Sequence, residues 1–72
     1  MSFPERLKTL RQGRNLSQIA LAKKLNVSSR NYQRYEYGEV EAPMSVGVSL
    51  ADYFNVSLDY LVGRSDNPEI NR

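Results

Sequence analysis

The three residues Asn26-Val27-Ser28 constrain the fold most, because they separate two stretches of helical periodicity and leave no room for a long loop. Asparagine tolerates the left-handed backbone conformation that a tight helix exit needs. Serine is a preferred residue at the start of a helix. The sequence therefore predicts one short helix that ends at Leu25 and a second that begins at Ser29.

Helical periodicity continues through the rest of the chain, and we find no strand pattern. We expect five helices, at approximately 3–14, 18–25, 29–37, 44–54 and 58–62. The fourth has an apolar face made by Met44, Val48, Ala51 and Phe54. The sequence predicts an all-α fold, a compact five-helix bundle, with a domain at residues 1–63 and a polar C-terminal tail at residues 64–72.

The length and composition exclude several classes of protein. The 72 residues allow one domain, and the absence of cysteine and histidine removes disulfides and the commonest metal ligand and general base. No apolar run approaches the roughly 20 residues that span a bilayer, and the start of the chain lacks the order of a signal peptide. We expect a cytoplasmic protein, not an enzyme, with no metal, cofactor, membrane or small-molecule ligand.

Charge is distributed unevenly along the chain. Residues 1–35 contain eight basic side chains and one acid, a net charge of +7, whereas residues 36–72 contain two basic side chains and seven acids, a net charge of −5. A basic half indicates a polyanionic partner approached from one side. Two solvated surfaces of different sign would explain the same pattern, so charge alone leaves both interpretations open.

The segment from about Gln18 to Tyr37 carries the functional signal, because two short helices joined by a three- or four-residue turn form a helix-turn-helix. Ala22 supplies a small residue where the helices cross, and Val27, Tyr32 and Tyr35 can hold the second helix to the body. The polar residues of that helix share its opposite side: Ser29, Arg30, Gln33 and Arg34. Arginine reads guanine and glutamine reads adenine in the major groove, so the pattern favours DNA binding.

The chain resembles the phage repressor and Cro family of helix-turn-helix proteins (XRE-like, with a lambda-repressor-like DNA-binding domain). The resemblance covers roughly residues 3–63, which is nearly the whole chain, and lies in the blocks Leu16-Ser17-Gln18, 21–28, 34–39 and 50–63. It implies a homodimeric transcriptional regulator, a repressor of phage or mobile-element type, on a palindromic double-stranded DNA operator. The recognition helix, residues 29–37, would lie in the major groove, with half-sites about 34 Å apart.

The resemblance also implies roles for individual residues. Ser29, Arg30 and Arg34 match base-reading positions, with Gln33 beside them. The positions expected at the DNA backbone are Gln18, the phosphate contact of the family, together with Ser28, Asn31 and Tyr37. Arg11 and Glu36 match a buried ion pair between the first and third helices, which would make Glu36 structural.

The chain departs from the family pattern at several positions. Ile19 stands where a polar residue is usual, and Tyr32 replaces an isoleucine or valine, so its hydroxyl needs a partner. Gly47 replaces a usual leucine in the fourth helix. Glu39 and Glu41 lie in a loop that often offers basic residues to phosphate, and they should weaken binding or point away.

Two questions stay open at the level of sequence. Val56, Leu58 and Leu61 are candidates for a dimer interface, but the same residues could close the core of the monomer. The second concerns function, since an interaction module such as an antitoxin or adaptor, with secondary DNA binding, would also fit Ile19 and the acidic loop.

Overall fold

A computed structural model describes residues 1–70, and these residues form five α-helices and no strand. The helices are α1 (Phe3–Gly13), α2 (Gln18–Leu25), α3 (Ser29–Glu36), α4 (Met44–Phe54) and α5 (Leu58–Leu61). The predicted all-α, five-helix fold is confirmed. Helices α1, α3 and α5 each end one residue earlier than predicted. Residues 71 and 72 of the predicted tail lie outside the described residues.

Four of the five helices begin at a serine whose side-chain oxygen accepts a backbone N–H from the first turn. These caps are Ser2, Ser17, Ser28 and Ser57. At α1 the cap is reciprocal, because the Glu5 carboxylate accepts in turn from the backbone of Ser2. Each cap satisfies a backbone donor that has no partner inside its own helix. These serines therefore fix where the helices start.

Two of the helices end at an asparagine in the left-handed region. Asn26 closes α2 with φ 59°, and Asn55 closes α4 with φ 55°. The valine after each asparagine donates a 3.0 Å hydrogen bond to a carbonyl in the preceding helix, at Ala22 and Ala51 respectively. The Asn-Val-Ser sequence thus makes the same tight turn twice, and only three residues are needed to change direction.

The core lies where α1, α2, α3 and the α4–α5 pair meet. Tyr32, Leu7, Leu21, Leu50 and Leu61 are its largest fully buried side chains. Ala22, Tyr35, Ala51, Phe54 and Val56 complete it. Tyr32 replaces a smaller aliphatic residue of the family pattern and is nevertheless completely enclosed, so the core is built around an aromatic ring.

Only two of the four residues predicted for the apolar face of α4, Ala51 and Phe54, are buried. Met44 is 73% exposed and Val48 is 45% exposed, whereas Gly47 and Leu50 are buried with Ala51 and Phe54. The buried set is spaced at i, i+3, i+4 and i+7, which is a single helical face. Because α4 carries apolar residues on both sides, periodicity alone could not decide which side turns inward.

Two of the three residues considered for a dimer interface lie in the core of the single chain. Leu61 is fully buried and Val56 is 8% exposed. Their burial fits the second of the two roles expected from the sequence, closure of the monomer core, and a dimer contact at either residue stays a prediction. Leu58 packs against the core from its edge and keeps part of its surface.

The C-terminal segment packs back on the bundle as far as Ile70. The backbone N–H of Ser57 donates to the Pro68 carbonyl at 2.9 Å. Arg6 is 6% exposed, lies 3.8 Å above the centre of the Tyr60 ring and reaches Asp66 at 3.4 Å. A cation over an aromatic face is stabilised by the ring quadrupole. The described part of this segment is therefore attached to the domain at several points.

A second arginine links α1 to the end of α4. The guanidinium of Arg14 donates to the carbonyls of Tyr53 and Phe54 at 3.3 and 3.2 Å, and lies 5.2 Å from the centre of each ring. Helix α4 has no basic residue in its own last turn. Arg14 supplies the positive charge that the carboxyl end of a helix favours.

Candidate nucleic-acid interface

Helices α2 and α3 meet at a small residue. Ala22 is 1% exposed, and its carbonyl accepts the N–H of Val27 on the other side of the turn. A side chain limited to a methyl group allows the two backbones to approach closely. Ser28 then begins α3 directly after the turn, so the position of α3 depends on residues 22–28 and not on a flexible connection.

Helix α3 has two contrasting sides. Tyr32, Tyr35 and Glu36 are buried against the body of the protein. The opposite side is exposed and holds Ser29, Arg30, Asn31 and Arg34, with Gln33 half-buried beside them. Within residues 1–70, the side chains of Arg30 and Arg34 make no hydrogen bond and no ion pair. The predicted base-reading residues thus share one surface, and both guanidinium groups keep their donors free.

Arg11 and Glu36 form a bidentate ion pair between α1 and α3. The guanidinium donates to the two carboxylate oxygens at 2.9 and 2.8 Å, and its remaining nitrogen donates to the Leu16 carbonyl at 2.8 Å. The two side chains are 12% and 1% exposed. Hydrogen bonds to the carboxylate raise the pKa of Arg11. Glu36 is directed inward, so it offers no charge to the exposed surface of α3.

The Glu36 carboxylate also receives donors from α2 and from its own helix. The Tyr32 hydroxyl donates at 2.6 Å, and the amide nitrogen of Gln18 donates at 3.3 Å. Burial by itself raises the pKa of Glu36, but the hydrogen bonds from Arg11, Tyr32 and Gln18 outweigh it, so the pKa lies below its ordinary value of 4.5. One buried anion therefore connects α1, α2 and α3.

Gln18 uses its amide donors inside the protein. Its nitrogen donates to Glu36 and also to the Tyr37 hydroxyl at 3.4 Å. The opposite amide orientation would place two oxygens against each other, so the neighbouring carboxylate fixes which atom points inward. In this orientation the side chain of Gln18 has only its carbonyl oxygen left, so the predicted contact between its amide and a phosphate would require the amide to turn outward. The Tyr37 hydroxyl, on a side chain that is 62% exposed, accepts from Gln18 and keeps its own hydrogen for an outside acceptor.

The sequence did not reveal this relationship, because Gln18 and Glu36 are 18 positions apart and belong to different helices. A glutamine at the start of α2 and a tyrosine at the end of α3 each matched a DNA-backbone position separately. Only the fold shows that they touch, and that the tyrosine is the outer member of the pair.

The neighbouring side chains differ in where they face. Ile19 is 56% exposed at the start of α2, and Glu39 and Glu41 are exposed in the loop after α3. Lys24 extends toward α4, where its ammonium lies 5.9 Å from the centre of the Tyr53 ring. Lys24 thus belongs to the side of α2 that faces α4.

Within residues 1–70, no group of three or more carboxylate side chains lies close enough together to hold a metal ion. None of the five helices is both long and apolar enough to cross a membrane.

Comparison with known proteins identifies the family to which the chain belongs. A sequence profile described as Helix-turn-helix matches residues 7–61, which is most of the chain. The chain belongs to this helix-turn-helix family. The resemblance to the phage repressor type is confirmed by the solved structure of the P22 c2 repressor with synthetic operator 9T in the presence of Tl+. That structure is 26% identical, has a TM-score of 0.82, and the match covers 90% of this chain and 98% of that one.

Curated relatives agree with this assignment. The uncharacterized HTH-type transcriptional regulator YobD of Bacillus subtilis is 34% identical over 93% of this chain and 60% of its own length. The cryptic phage CTXphi transcriptional repressor RstR of Vibrio cholerae is 36% identical over 89% of this chain and 57% of its own length. The chain therefore spans somewhat more than half of these curated relatives.

Proposed function

We propose that this helix-turn-helix chain regulates transcription by binding double-stranded DNA at a specific sequence, with α3 in the major groove. The observation that carries this proposal is the exposed side of α3, where Arg30 and Arg34 are free while Tyr32, Tyr35 and Glu36 hold the helix from behind. A guanidinium with free donors can pair with the O6 and N7 atoms of guanine. Ser29 and Gln33 lie beside the arginines and complete the base-reading surface.

Contacts to the DNA backbone would come from both ends of the motif. The Tyr37 hydroxyl is the outward donor, and Gln18 positions it, so together they serve one phosphate. Ser28 caps α3 through its oxygen, which leaves its hydroxyl hydrogen for a second phosphate. Asn31 is exposed in the first turn of α3 and can add a third contact. Such contacts fix register and orientation without reading sequence.

We further propose that the protein acts in the cytoplasm as a homodimeric repressor on a palindromic operator. Support comes from a relative that is a phage transcriptional repressor and from a similar structure that is a repressor in complex with a synthetic operator. A single α3 reads only a few base pairs, whereas two copies related by a two-fold axis read two half-sites about one helical turn apart. The palindrome then follows from the symmetry of the protein.

Selection of binding sites from random duplexes tests this function. The expected result is an enriched motif with two inverted halves, and an affinity that falls steeply with salt because each neutralised phosphate releases counterions. Variants that lack Arg30 or Arg34 should enrich a degenerate motif. The proposal is overturned if no duplex is enriched above the starting pool.

A second function is favoured by different residues. Ile19 presents an apolar side chain beside Gln18, and Glu39 and Glu41 place negative charge in the loop after α3. An adaptor or antitoxin that binds a protein through this surface would show weak DNA affinity with little dependence on salt. Measuring the affinity for duplex DNA over a range of salt concentrations therefore separates the two functions.

A further inference from the structure

Helix α3 carries two arginines one turn apart on its exposed side. Arg30 and Arg34 are four positions apart in the chain, so they share a face of the helix and are separated by about 6 Å along its axis. The side chains of both are exposed. Like charges at this spacing destabilise a helix slightly. The pair is therefore unfavourable for the fold itself, which indicates an acceptor outside the chain.

The acids of the chain do not neutralise this pair. Within residues 1–70, the arginines that form ion pairs are Arg6 and Arg11. Glu36, the acid of α3, is directed inward and binds Arg11. Glu39 and Glu41 follow α3 closely in the chain, yet neither forms an ion pair with an arginine of α3 within the same residues. The two exposed guanidinium groups therefore keep their charge and their donors for a ligand.

The kinds of side chain on this surface determine which base it can read. Among residues 29–36, no apolar and no acidic side chain is exposed. In the major groove an apolar side chain contacts the methyl group of thymine, and an acid accepts from the N4 amino group of cytosine. Arginine donates two hydrogen bonds together, which match the two adjacent acceptors of guanine, O6 and N7. The exposed side of α3 is therefore best suited to guanine.

The spacing of the two arginines limits where those guanines can lie. A bidentate contact uses one whole guanidinium for one guanine, so two arginines need two different G·C pairs. Successive base pairs are stacked about 3.4 Å apart. The separation of about 6 Å along the helix lies between one and two such steps. The two G·C pairs are therefore adjacent or have a single base pair between them.

A second row of polar side chains lies beside the arginines. Ser29 and Gln33 are also four positions apart, and neither is charged. A serine hydroxyl both donates and accepts, so it bonds to several bases. Gln33 is half-buried and projects less than the arginines. This row should select bases less strongly than Arg30 and Arg34 do.

We propose that each half-site of the operator contains two G·C pairs, adjacent or separated by one base pair, and that Arg30 reads one guanine and Arg34 the other. This inference rests on the proposed function, since it requires α3 to lie in the major groove. The strongly selected core of a half-site then spans about two or three base pairs. Contacts to the DNA backbone hold the rest of the half-site without selecting its sequence.

Exchange of each arginine for glutamine tests the assignment, because glutamine pairs with adenine in the major groove. Site selection from random duplexes is carried out with the wild type, Arg30→Gln and Arg34→Gln. Each variant should lose its preference for G·C at one position by about tenfold or more and should prefer A·T there. The two altered positions should lie one or two base-pair steps apart.

Lys24→Gln is the matched control, because it removes the same charge from the side of α2 that faces α4. Its selected motif should equal that of the wild type. All three replaced side chains are exposed and glutamine is a good helix former, so the melting temperatures should stay close to that of the wild type. Thermal denaturation followed by circular dichroism measures them.

The two proposals fail in different ways. A wild-type motif without two G·C pairs at this spacing overturns the guanine assignment, as do variants that alter the same pair or pairs more than two steps apart. If both variants bind all duplexes more weakly but select the wild-type motif, the arginines contact phosphate, and the assignment is overturned while DNA binding stands. If the wild type enriches no duplex, the DNA-binding function itself is overturned.

Discussion

The phenolic hydroxyl of Tyr32 donates a 2.6 Å hydrogen bond to the carboxylate of Glu36, one helical turn further along α3. Both side chains are buried, and the carboxylate also holds Arg11 and Gln18. Burial of the phenol and its hydrogen bond with the carboxylate raise the pKa of Tyr32 above its ordinary value of 10. Tyr32 therefore stays a donor at any physiological pH, and it occupies a position where the family pattern has an aliphatic residue.

Replacement of Tyr32 by phenylalanine should destabilise the fold. The ring still fills the core, but the carboxylate loses a donor, and a hydrogen bond to a charged group contributes about 1.5–3 kcal/mol. Urea denaturation measures the change in the free energy of unfolding. Tyr35→Phe is the matched control, because the Tyr35 hydroxyl makes no hydrogen bond within residues 1–70. Equal losses in the two variants would show that the hydroxyl of Tyr32 contributes nothing to Glu36.

Stability should depend on pH through Glu36. Because the pKa of Glu36 is lowered in the fold, the unfolded chain takes up a proton first as the pH falls. The stabilisation is complete above about pH 4.5 and is lost as the pH drops through the folded pKa.

Glu36→Gln isolates this contribution. The variant should be less stable than the wild type by about 3 kcal/mol at pH 7, because Arg11 loses its buried partner. The difference should narrow as the pH falls below about 4.5, because the unfolded wild-type chain then binds a proton at Glu36, and it should be smallest below the folded pKa, where the carboxylate of the folded wild type is protonated as well. Denaturation at a series of pH values measures it, and a gap that stays constant down to the lowest pH would contradict the role given to Glu36.

Much of the fold could be predicted because local sequence determines it. Serine caps and left-handed asparagines act within a few residues, so the starts of the helices and the tight turn at Asn26 could be predicted from the chain alone. The exposed side of α3 followed from period 3.6 and from the contrast between Tyr32 and Arg34.

What could not be predicted depends on contacts between distant residues. Helix α4 has apolar residues of its own on both sides. The helices packed against α4 therefore decide that Gly47 is buried and Val48 is exposed. Likewise, Gln18 and Tyr37 meet only because α2 and α3 cross. The resemblance to a family placed both at the DNA backbone but could not show which of them keeps a free donor.

The turn at Asn26 should tolerate glycine better than alanine. A residue with a β-carbon pays about 1–2 kcal/mol in the left-handed region, and asparagine and glycine tolerate that region best. Asn26→Ala should therefore lower the free energy of unfolding by about 1 kcal/mol, and Asn26→Gly should lower it less. Asn55→Ala is the control, since φ at that position is also left-handed, at 55°. A smaller loss at Asn26 than at Asn55 would mean that the first turn relaxes to another conformation.

Arg34 should determine one base of the recognised sequence. Arg34→Ala removes a guanidinium that can donate two hydrogen bonds to one guanine, which should relax preference at one base pair by about 1–3 kcal/mol and leave the other positions unchanged. Site selection with each variant measures this preference. Lys24→Ala removes a positive charge on the side of α2 that faces α4, so the selected motif should not change. If both variants broaden the motif equally, α3 is not the reading helix.

Tyr37→Phe should weaken binding to every duplex by a similar factor, because the lost hydroxyl contacts phosphate and reads no base. The loss should be about 1 kcal/mol, as for a typical hydrogen bond. The dependence on salt should be unchanged, because no cationic group has been removed. Fluorescence anisotropy with matched and mismatched duplexes at several salt concentrations measures the size of the loss, whether it is the same for every duplex, and how the affinity depends on salt.

Gln18→Ala distinguishes positioning from direct contact. If Gln18 acts by orienting the Tyr37 hydroxyl, its replacement weakens binding in the wild type but adds little in the Tyr37→Phe background, because the two changes remove the same contact. If the amide of Gln18 instead turns outward and donates to phosphate itself, the two losses add. Additive losses would therefore return the phosphate contact to Gln18 and leave Tyr37 as an independent neighbour, whereas non-additive losses establish the hydrogen bond between them as the functional unit.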